Sequence, residues 1–149
     1  MFIHGGAYAL QFIPLHSKFL SEISSETGCA FITPNNPMLP KYTWKESHPM
    51  VIGYYKEFIK NHDMKKVIIG GGSSGAGYVL TLLQQVKALG LPLPAKLILI
   101  SPYVDITEDI ERDEDPMLDK NTLLISGKAW TNVLDLKDSE SITIICIVK

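Results

Sequence analysis

Two hydrophobic periods alternate along the chain. Apolar residues at helical spacing predict amphipathic helices over 13–27, 43–62 and 74–89. Short, wholly apolar runs predict buried strands, one ending at His4 and the others at 29–33, 66–71 and 96–101. Strands that are apolar on both faces are typical of a parallel sheet covered by helices on each side. The pattern therefore predicts an α/β fold with three α/β/α layers and a mostly parallel sheet.

The chain changes character after residue 101. Residues 1–101 carry the alternating pattern, whereas 102–138 contain the acidic sequence DITEDIERDEDP and a predicted helix over 118–131. Residues 139–149 form a tail with a last strand-like run, ITIICIV. A length of 149 residues predicts one domain. We expect residues 1–149 to form a single, partial domain.

Composition argues against several function classes. A net charge of −2 and a pI near 6.1 give no reason to expect nucleic acid or an anionic membrane as a partner. The apolar runs are too short to span a bilayer, and nothing at the N-terminus has the pattern of a signal peptide, so a cytoplasmic location is predicted. Cys29 and Cys146 lie in apolar runs and are predicted to be buried free thiols rather than disulfide or metal ligands. No cofactor is predicted.

The sequence GGSSG at 71–75 fits the pattern G-x-S-x-G, with Ser73 at its centre. A buried strand leads into it and a helix leads out, so Ser73 is predicted to lie on a tight turn with its hydroxyl above the carboxyl edge of the sheet. Gly71 and Gly75 are expected because a side chain there would clash with the turn or the neighbouring strand. The pattern indicates a nucleophilic serine; a phosphate-binding turn is the alternative, although no P-loop lysine follows Gly75.

The sequence HGGAY at 4–8 directly follows a predicted strand. Acyl transfer needs backbone N–H groups aimed at the carbonyl oxygen that becomes negative, and consecutive glycines let the backbone approach a substrate. Gly5 and Gly6 are therefore predicted donors, together with the N–H of Ser74, the residue after the nucleophile. His4 is predicted to shape this loop rather than to transfer protons.

Four segments in order resemble the hormone-sensitive-lipase-like branch of the α/β-hydrolases. These segments are HGGAY at 4–8, GGSSGAG at 71–77, LILISPYVDIT at 97–107 and DEDPML at 113–118. In that family the first motif is usually HGGG followed by an aromatic residue, and the second is usually GDSAGG. This chain departs from the family at Ala7, Gly72 and Ala76, where small residues replace glycine, aspartate and glycine. None of these changes removes a backbone donor. The resemblance implies a carboxylic-ester hydrolase acting on small-molecule esters.

No histidine follows the predicted nucleophile. The triad of this fold runs in the order Ser, then Asp or Glu, then His, whereas His4, His16, His48 and His62 all precede Ser73. His16 and His48 fall in predicted helices and His62 lies near a helix end, so none is predicted to be the general base. We therefore expect a truncated hydrolase that is weak or inactive.

Two further expectations follow from this interpretation. The alternative function is a catalytically dead hydrolase-like fold that binds an apolar ligand or a partner. In the family's strand order, the strand at 29–33 is flanked by one that would precede Met1. Its backbone is therefore expected to be an open edge through which the chain self-associates.

Overall fold

Three parallel strands form the sheet in the part of the chain that the structure describes. The computed structural model describes residues 1–106 and 117–132. The strands are β1 (Phe2–Ile3), β2 (Ile68–Gly72) and β3 (Lys96–Ile100), in the order β1-β2-β3. The helices are α1 (Pro14–Thr27), α2 (Trp44–Asn61), α3 (Ser74–Ala88) and α4 (Lys120–Thr131). Both strand pairs are parallel, with Phe2 opposite Gly70 and Gly70 opposite Ile98.

Local sequence signals set the helix boundaries. Pro14 is the first residue of α1, where its missing N–H costs no hydrogen bond, and Gly28 ends the helix at φ 69°. Thr43 and Glu46 form a capping box at the start of α2. The Thr43 N–H donates to the Glu46 carboxylate at 2.8 Å, and the Thr43 hydroxyl accepts from the Lys45 N–H at 3.4 Å. These boundaries agree with the predicted helices to within a residue or two.

Helices cover both faces of the sheet. On one face the Phe2 ring lies 6.2 Å from the ring of Phe19 in α1. On the other face α3 packs so closely that a methyl group placed on Gly71 would lie 2.5 Å from the Gly75 carbonyl. The predicted three-layer arrangement is confirmed.

The core lies between the sheet, α2, α3 and α4. Its fully buried side chains include Ile3, Tyr55, Ile69, Val79 and Leu82. Burying an aliphatic side chain of this size contributes roughly 1.5–3 kcal/mol, so this face supplies much of the stability. The Trp44 indole N–H donates to the Thr131 carbonyl at 3.1 Å and ties α2 to α4.

The prediction of a strand at 29–33 is wrong. This segment has no strand geometry, and a single backbone bond, from the Phe2 N–H to the Ile32 carbonyl at 2.9 Å, joins it to β1. Because β1 is only two residues long, it offers too few groups to pair with a full neighbouring strand. The prediction of a buried Cys29 is also wrong, since its side chain is exposed just after α1 ends.

The α1 face of the sheet is only partly covered by described residues. Ile98 is 49% exposed and Ile100 is 41% exposed, and both lie on the face that Phe2 shares. Most of the acidic sequence, the predicted tail strand and Cys146 fall in 107–116 and 133–149, outside the described residues. No helix among those described is long and apolar enough to cross a membrane.

Candidate active site

Ser73 occupies a sharp turn between β2 and α3. Its φ of 50° and ψ of −124° are unusual for a residue other than glycine. Its N–H donates to the Ile100 carbonyl at 2.9 Å. Its carbonyl accepts from the N–H groups of Ala76, Gly77 and Tyr103 at 3.0–3.2 Å. Such a conformation costs about 1–3 kcal/mol and persists where surrounding bonds enforce it, as these four do.

Gly71 and Gly75 make this turn possible. A methyl group on Gly71 would lie 2.5 Å from the Gly75 carbonyl, within the first turn of α3. A methyl group on Gly75 would overlap the carbonyl oxygens of Ile3 and His4, on the neighbouring strand and its exit. The sequence predicted that a side chain at these positions would clash with the turn or with the neighbouring strand. The structure shows the first clash at Gly71 and the second at Gly75.

The HGGAY loop lies beside Ser73 at the carboxyl edge of the sheet. A methyl group on Gly5 would lie 3.1 Å from the Ser73 Cβ, so Gly5 directly neighbours the turn, as expected. Gly6 has φ 128°, and its carbonyl accepts from the Leu10 N–H at 2.9 Å. Ala7 then follows with φ 50°, a conformation that the glycine usual in the family would adopt with less strain.

His4 holds the peptide that joins Gly5 to Gly6. Its side chain is 1% exposed, and its Nδ1 lies 2.8 Å from the Gly5 carbonyl oxygen. A carbonyl oxygen can only accept, so Nδ1 carries the hydrogen of this bond. Its Nε2 is buried with no hydrogen-bond partner among the described residues. This contact orients the Gly5 carbonyl and, through the rigid peptide, the Gly6 N–H on the opposite side.

His16 flanks His4 on the side of α1. Their ring centroids lie 5.1 Å apart, and the Phe12 ring meets His4 edge-on at 5.8 Å. Desolvation lowers the pKa of His16, and proximity to His4 lowers it further. The His16 Nδ1 accepts from the Ile13 N–H at 3.2 Å, so this ring helps to start α1.

His48 and His62 are engaged elsewhere. His48 is buried between α2 and α3, with its ring 4.6 Å from that of Tyr78, and burial lowers its pKa to about 4. His62 stacks on Phe58 with ring centroids 4.0 Å apart, and its Nδ1 bonds to the Phe58 carbonyl at 2.8 Å. Within residues 1–106 and 117–132, no histidine is hydrogen-bonded to the Ser73 hydroxyl.

Two contacts at this site were not predicted from the sequence. The buried Ser74 hydroxyl accepts a hydrogen bond from the Tyr8 N–H at 3.3 Å. The Tyr8 ring stacks on Trp130 of α4, with centroids 4.8 Å apart and planes at 11°. Both contacts join residues far apart in the chain, so the sequence gave no sign of the pairing. Only the presence of an aromatic residue, Tyr8, at the end of HGGAY was visible in the sequence.

Metal ligands are not clustered in the described part of the chain. There, no group of three or more His, Cys, Asp or Glu side chains could hold an ion. The site consists of a serine hydroxyl, backbone N–H groups and aromatic side chains.

Comparison with known protein families decides which fold family this arrangement represents. Residues 1–145 match the family described as the alpha/beta hydrolase fold. The chain belongs to the α/β-hydrolase fold family. This match covers nearly the whole chain and confirms the family predicted from the ordered motifs.

Relatives of this α/β hydrolase include proteins named for ester hydrolysis. A protein named esterase from Acinetobacter venetianus is 31% identical over 106 residues, which cover 70% of this chain and 35% of the esterase. A protein named acetyl-hydrolase from Streptomyces hygroscopicus is 27% identical over 107 residues, which cover 71% of this chain and 36% of the relative.

A solved structure shows the same fold. The hormone-sensitive-lipase homologue EstE7 from a metagenome library matches with a TM-score of 0.85 and 21% identity, over 97% of this chain and 52% of its own. At this identity the likeness concerns the fold alone. The chain spans about a third of the length of the two curated relatives and about half of this structure.

Proposed function

We propose that this α/β hydrolase carries the nucleophile and oxyanion hole of a carboxylic-ester hydrolase, with Ser73 as the nucleophile. The observation that carries the proposal is the contact between the Ser73 turn and Gly5, which brings a hydroxyl and a glycine-rich loop to one point. The names of the relatives, esterase and acetyl-hydrolase, support small-molecule carboxylic esters as the substrate class.

In the proposed reaction the Ser73 oxygen attacks the ester carbonyl carbon and loses its proton to a base. The carbonyl oxygen becomes an oxyanion in a tetrahedral intermediate. The intermediate then collapses, the alcohol leaves with a proton, and the acyl group stays on Ser73. Water attacks this acyl-enzyme in the same way and releases the carboxylic acid together with the free serine.

The N–H groups of Gly5, Gly6 and Ser74 are the proposed oxyanion donors. Within residues 1–106 and 117–132 none of these three groups donates a hydrogen bond, so each is available to a substrate oxygen. Ser74 is the first residue of α3, where the helix dipole adds a partial positive charge. Loss of a single donor of this kind costs roughly 10²–10³-fold in kcat in a serine hydrolase.

His4 has a supporting role in this proposal. Its Nδ1–H holds the Gly5 carbonyl, which keeps the Gly6 N–H on the other side of the same peptide. Because its Nε2 atom is buried and makes no hydrogen bond to the Ser73 hydroxyl among the described residues, His4 is assigned this positioning role and not that of the base.

None of the four histidines, all of which lie in the part of the chain that the structure describes, is hydrogen-bonded to Ser73 as a general base would be. All four histidines precede Ser73 in the chain, and each is engaged as described above. Loss of the base costs roughly 10⁶-fold in kcat in a well-studied serine hydrolase. The oxyanion hole and substrate binding leave about 10³–10⁴-fold over water. We therefore expect turnover through Ser73 by this chain to be negligible.

Binding of phenylboronic acid tests the proposal without requiring a base for turnover. The Ser73 oxygen adds to boron, the serine proton passes to the solvent, and the tetrahedral boronate, whose negative charge is formally on boron, places one of its hydroxyl oxygens at the three donors. We expect saturable shifts of the Gly6 and Ser74 amide resonances in NMR titrations, lost in Ser73→Ala. Equal shifts in Ser73→Ala would contradict the proposal.

Binding of an apolar ligand is a second candidate function. An apolar groove of about 420 Å³ lies between α1 and the sheet, lined by residues that include Phe2, Phe19, Ile98 and Ile100. Ser73 is not part of its lining, so an occupant would not touch the proposed nucleophile. This function would be favoured if a fatty acid shifted the NMR resonances of the residues that line the groove while the chain bound no boronate.

The cytoplasmic location stays a prediction from the sequence.

A further inference from the structure

We propose that the hydroxyl of Ser74 is a positioning group that locks the oxyanion loop onto the nucleophile turn. This inference rests on the proposed function and deepens it. The backbone N–H of Ser74 is a proposed oxyanion donor, whereas its side chain has so far had no role.

The contact lies in the interior of the site. Ser74 is 1% exposed, and its Oγ accepts from the Tyr8 N–H at 3.3 Å, across 66 residues of sequence. Tyr8 is itself 4% exposed. A buried N–H is costly to leave unbonded, and the Ser74 hydroxyl accepts this one. The bond therefore joins the end of the HGGAY loop to the first residue of α3.

The loop needs such a restraint because its backbone is strained. Ala7 and Tyr8 follow one another with φ values of 50° and 60°, each in the left-handed region that disfavours side chains. Two consecutive residues of this kind revert to ordinary conformations unless neighbouring groups hold them. At Tyr8 the holding groups include the Ser74 hydroxyl at the N–H, the Leu39 N–H at the carbonyl (3.0 Å), and the Trp130 ring under the side chain.

The restraint acts on the spacing of the two halves of the oxyanion hole. Gly5 and Gly6 lie on the loop, and the third donor is the N–H of the same Ser74 that holds Tyr8. Fixing Tyr8 to Ser74 thus fixes the distance between the donors of the loop and the donor of the helix. Ser74 is not a catalytic residue through its side chain, since the hydroxyl acts through the position of Tyr8.

The test compares Ser74→Ala with Ser74→Thr, which keeps a hydroxyl, and with Ser126→Ala. The control removes a buried hydroxyl that bonds to Thr122 within α4. Amide hydrogen exchange measured by NMR reports the Tyr8 N–H directly, and phenylboronic acid reports the oxyanion hole. Thermal melts identify any variant that has lost the fold.

We expect Ser74→Ala to speed exchange at the Tyr8 N–H by roughly 3- to 10-fold and to weaken boronate binding by a similar factor. Ser74→Thr should restore both, and Ser126→Ala should change neither. Unchanged exchange at Tyr8 in Ser74→Ala would overturn the proposal, as would faster exchange with unchanged boronate affinity. If the unmutated chain binds no boronate, the proposed function fails, and the exchange rate at the Tyr8 N–H alone decides whether Ser74 holds the loop.

Discussion

Gly75 packs directly beneath Ile3, with its Cα turned toward the Ile3 carbonyl oxygen, so that any side chain at position 75 would overlap it. This contact joins α3 to β1 immediately below the proposed oxyanion hole. Gly75→Ala must push the helix away from the strand, and we expect a loss of about 3 kcal/mol in the free energy of unfolding. Urea titration followed by circular dichroism measures it.

Gly53→Ala is the matched control for this prediction. Gly53 lies inside α2, and a methyl group there would meet nothing within 4 Å. Replacing a helix-interior glycine by alanine should stabilise the chain by about 0.5–1 kcal/mol. If Gly75→Ala left the free energy of unfolding unchanged and Gly53→Ala lowered it, the close packing of α3 on β1 would be contradicted.

The burial of His48 leads us to expect that the free energy of unfolding depends on pH. Burial lowers the pKa of His48 to about 4 from an ordinary value of 6.5. Between these values the unfolded chain binds a proton that the folded chain does not. Stability from this group is therefore complete above pH 6.5 and is lost as pH falls toward 4, by an amount on the order of 3 kcal/mol.

The comparison of unfolding free energies at pH 7 and pH 4.5 isolates this effect. His48→Gln should reduce the difference between the two pH values, because glutamine takes up no proton. His62→Gln removes an exposed histidine at the end of the same helix and should reduce it much less. A pH dependence that is identical in all three proteins would show that His48 is not buried as described.

Turnover by the isolated chain should be negligible. No histidine follows Ser73, and the four upstream are engaged in the loop, the core or a helix end. Hydrolysis of p-nitrophenyl acetate should therefore equal that of Ser73→Ala. A rate typical of enzymes, on the order of 10 s⁻¹, that disappears in Ser73→Ala would instead implicate an upstream histidine as the base.

Self-association through the segment 29–33 remains a prediction. Ile32 is 37% exposed and bonds to β1 on one side, which leaves uncharged backbone toward solvent on the other. We expect concentration-dependent oligomers in size-exclusion chromatography at micromolar protein, reduced by Ile32→Lys. Leu15→Lys, on the exposed surface of α1, is the control and should have no effect. Oligomers that disappear with Ile98→Lys but persist with Ile32→Lys would assign the contact to the open sheet face instead.

The predictable parts of this fold are those that local sequence determines. The apolar run before GGSSG and the capping signals at Pro14, Gly28 and Thr43 needed no knowledge of distant residues. The burial of His48 also left a signal, because it shares helical spacing with the buried Val51, Ile52 and Tyr55.

The features that were missed depend on tertiary pairing. A run such as CAFIT becomes a strand only if its neighbour is long enough to pair with it, and β1 has two residues. The bond between Ser74 and Tyr8 spans 66 residues, and no spacing in the sequence encodes it.

Site-resolved labelling by a fluorophosphonate tests the central claim, that Ser73 is a nucleophile beside an oxyanion hole. The Ser73 oxygen attacks phosphorus, fluoride leaves, the serine proton passes to the base, and the phosphoryl oxygen takes the place of the oxyanion. Added imidazole supplies the base that the chain lacks. Peptide mass spectrometry should find the adduct on Ser73, forming faster as imidazole increases, with no compensating adduct in Ser73→Ala. Equal labelling of several serines, insensitive to imidazole and unchanged in Ser73→Ala, would contradict the account.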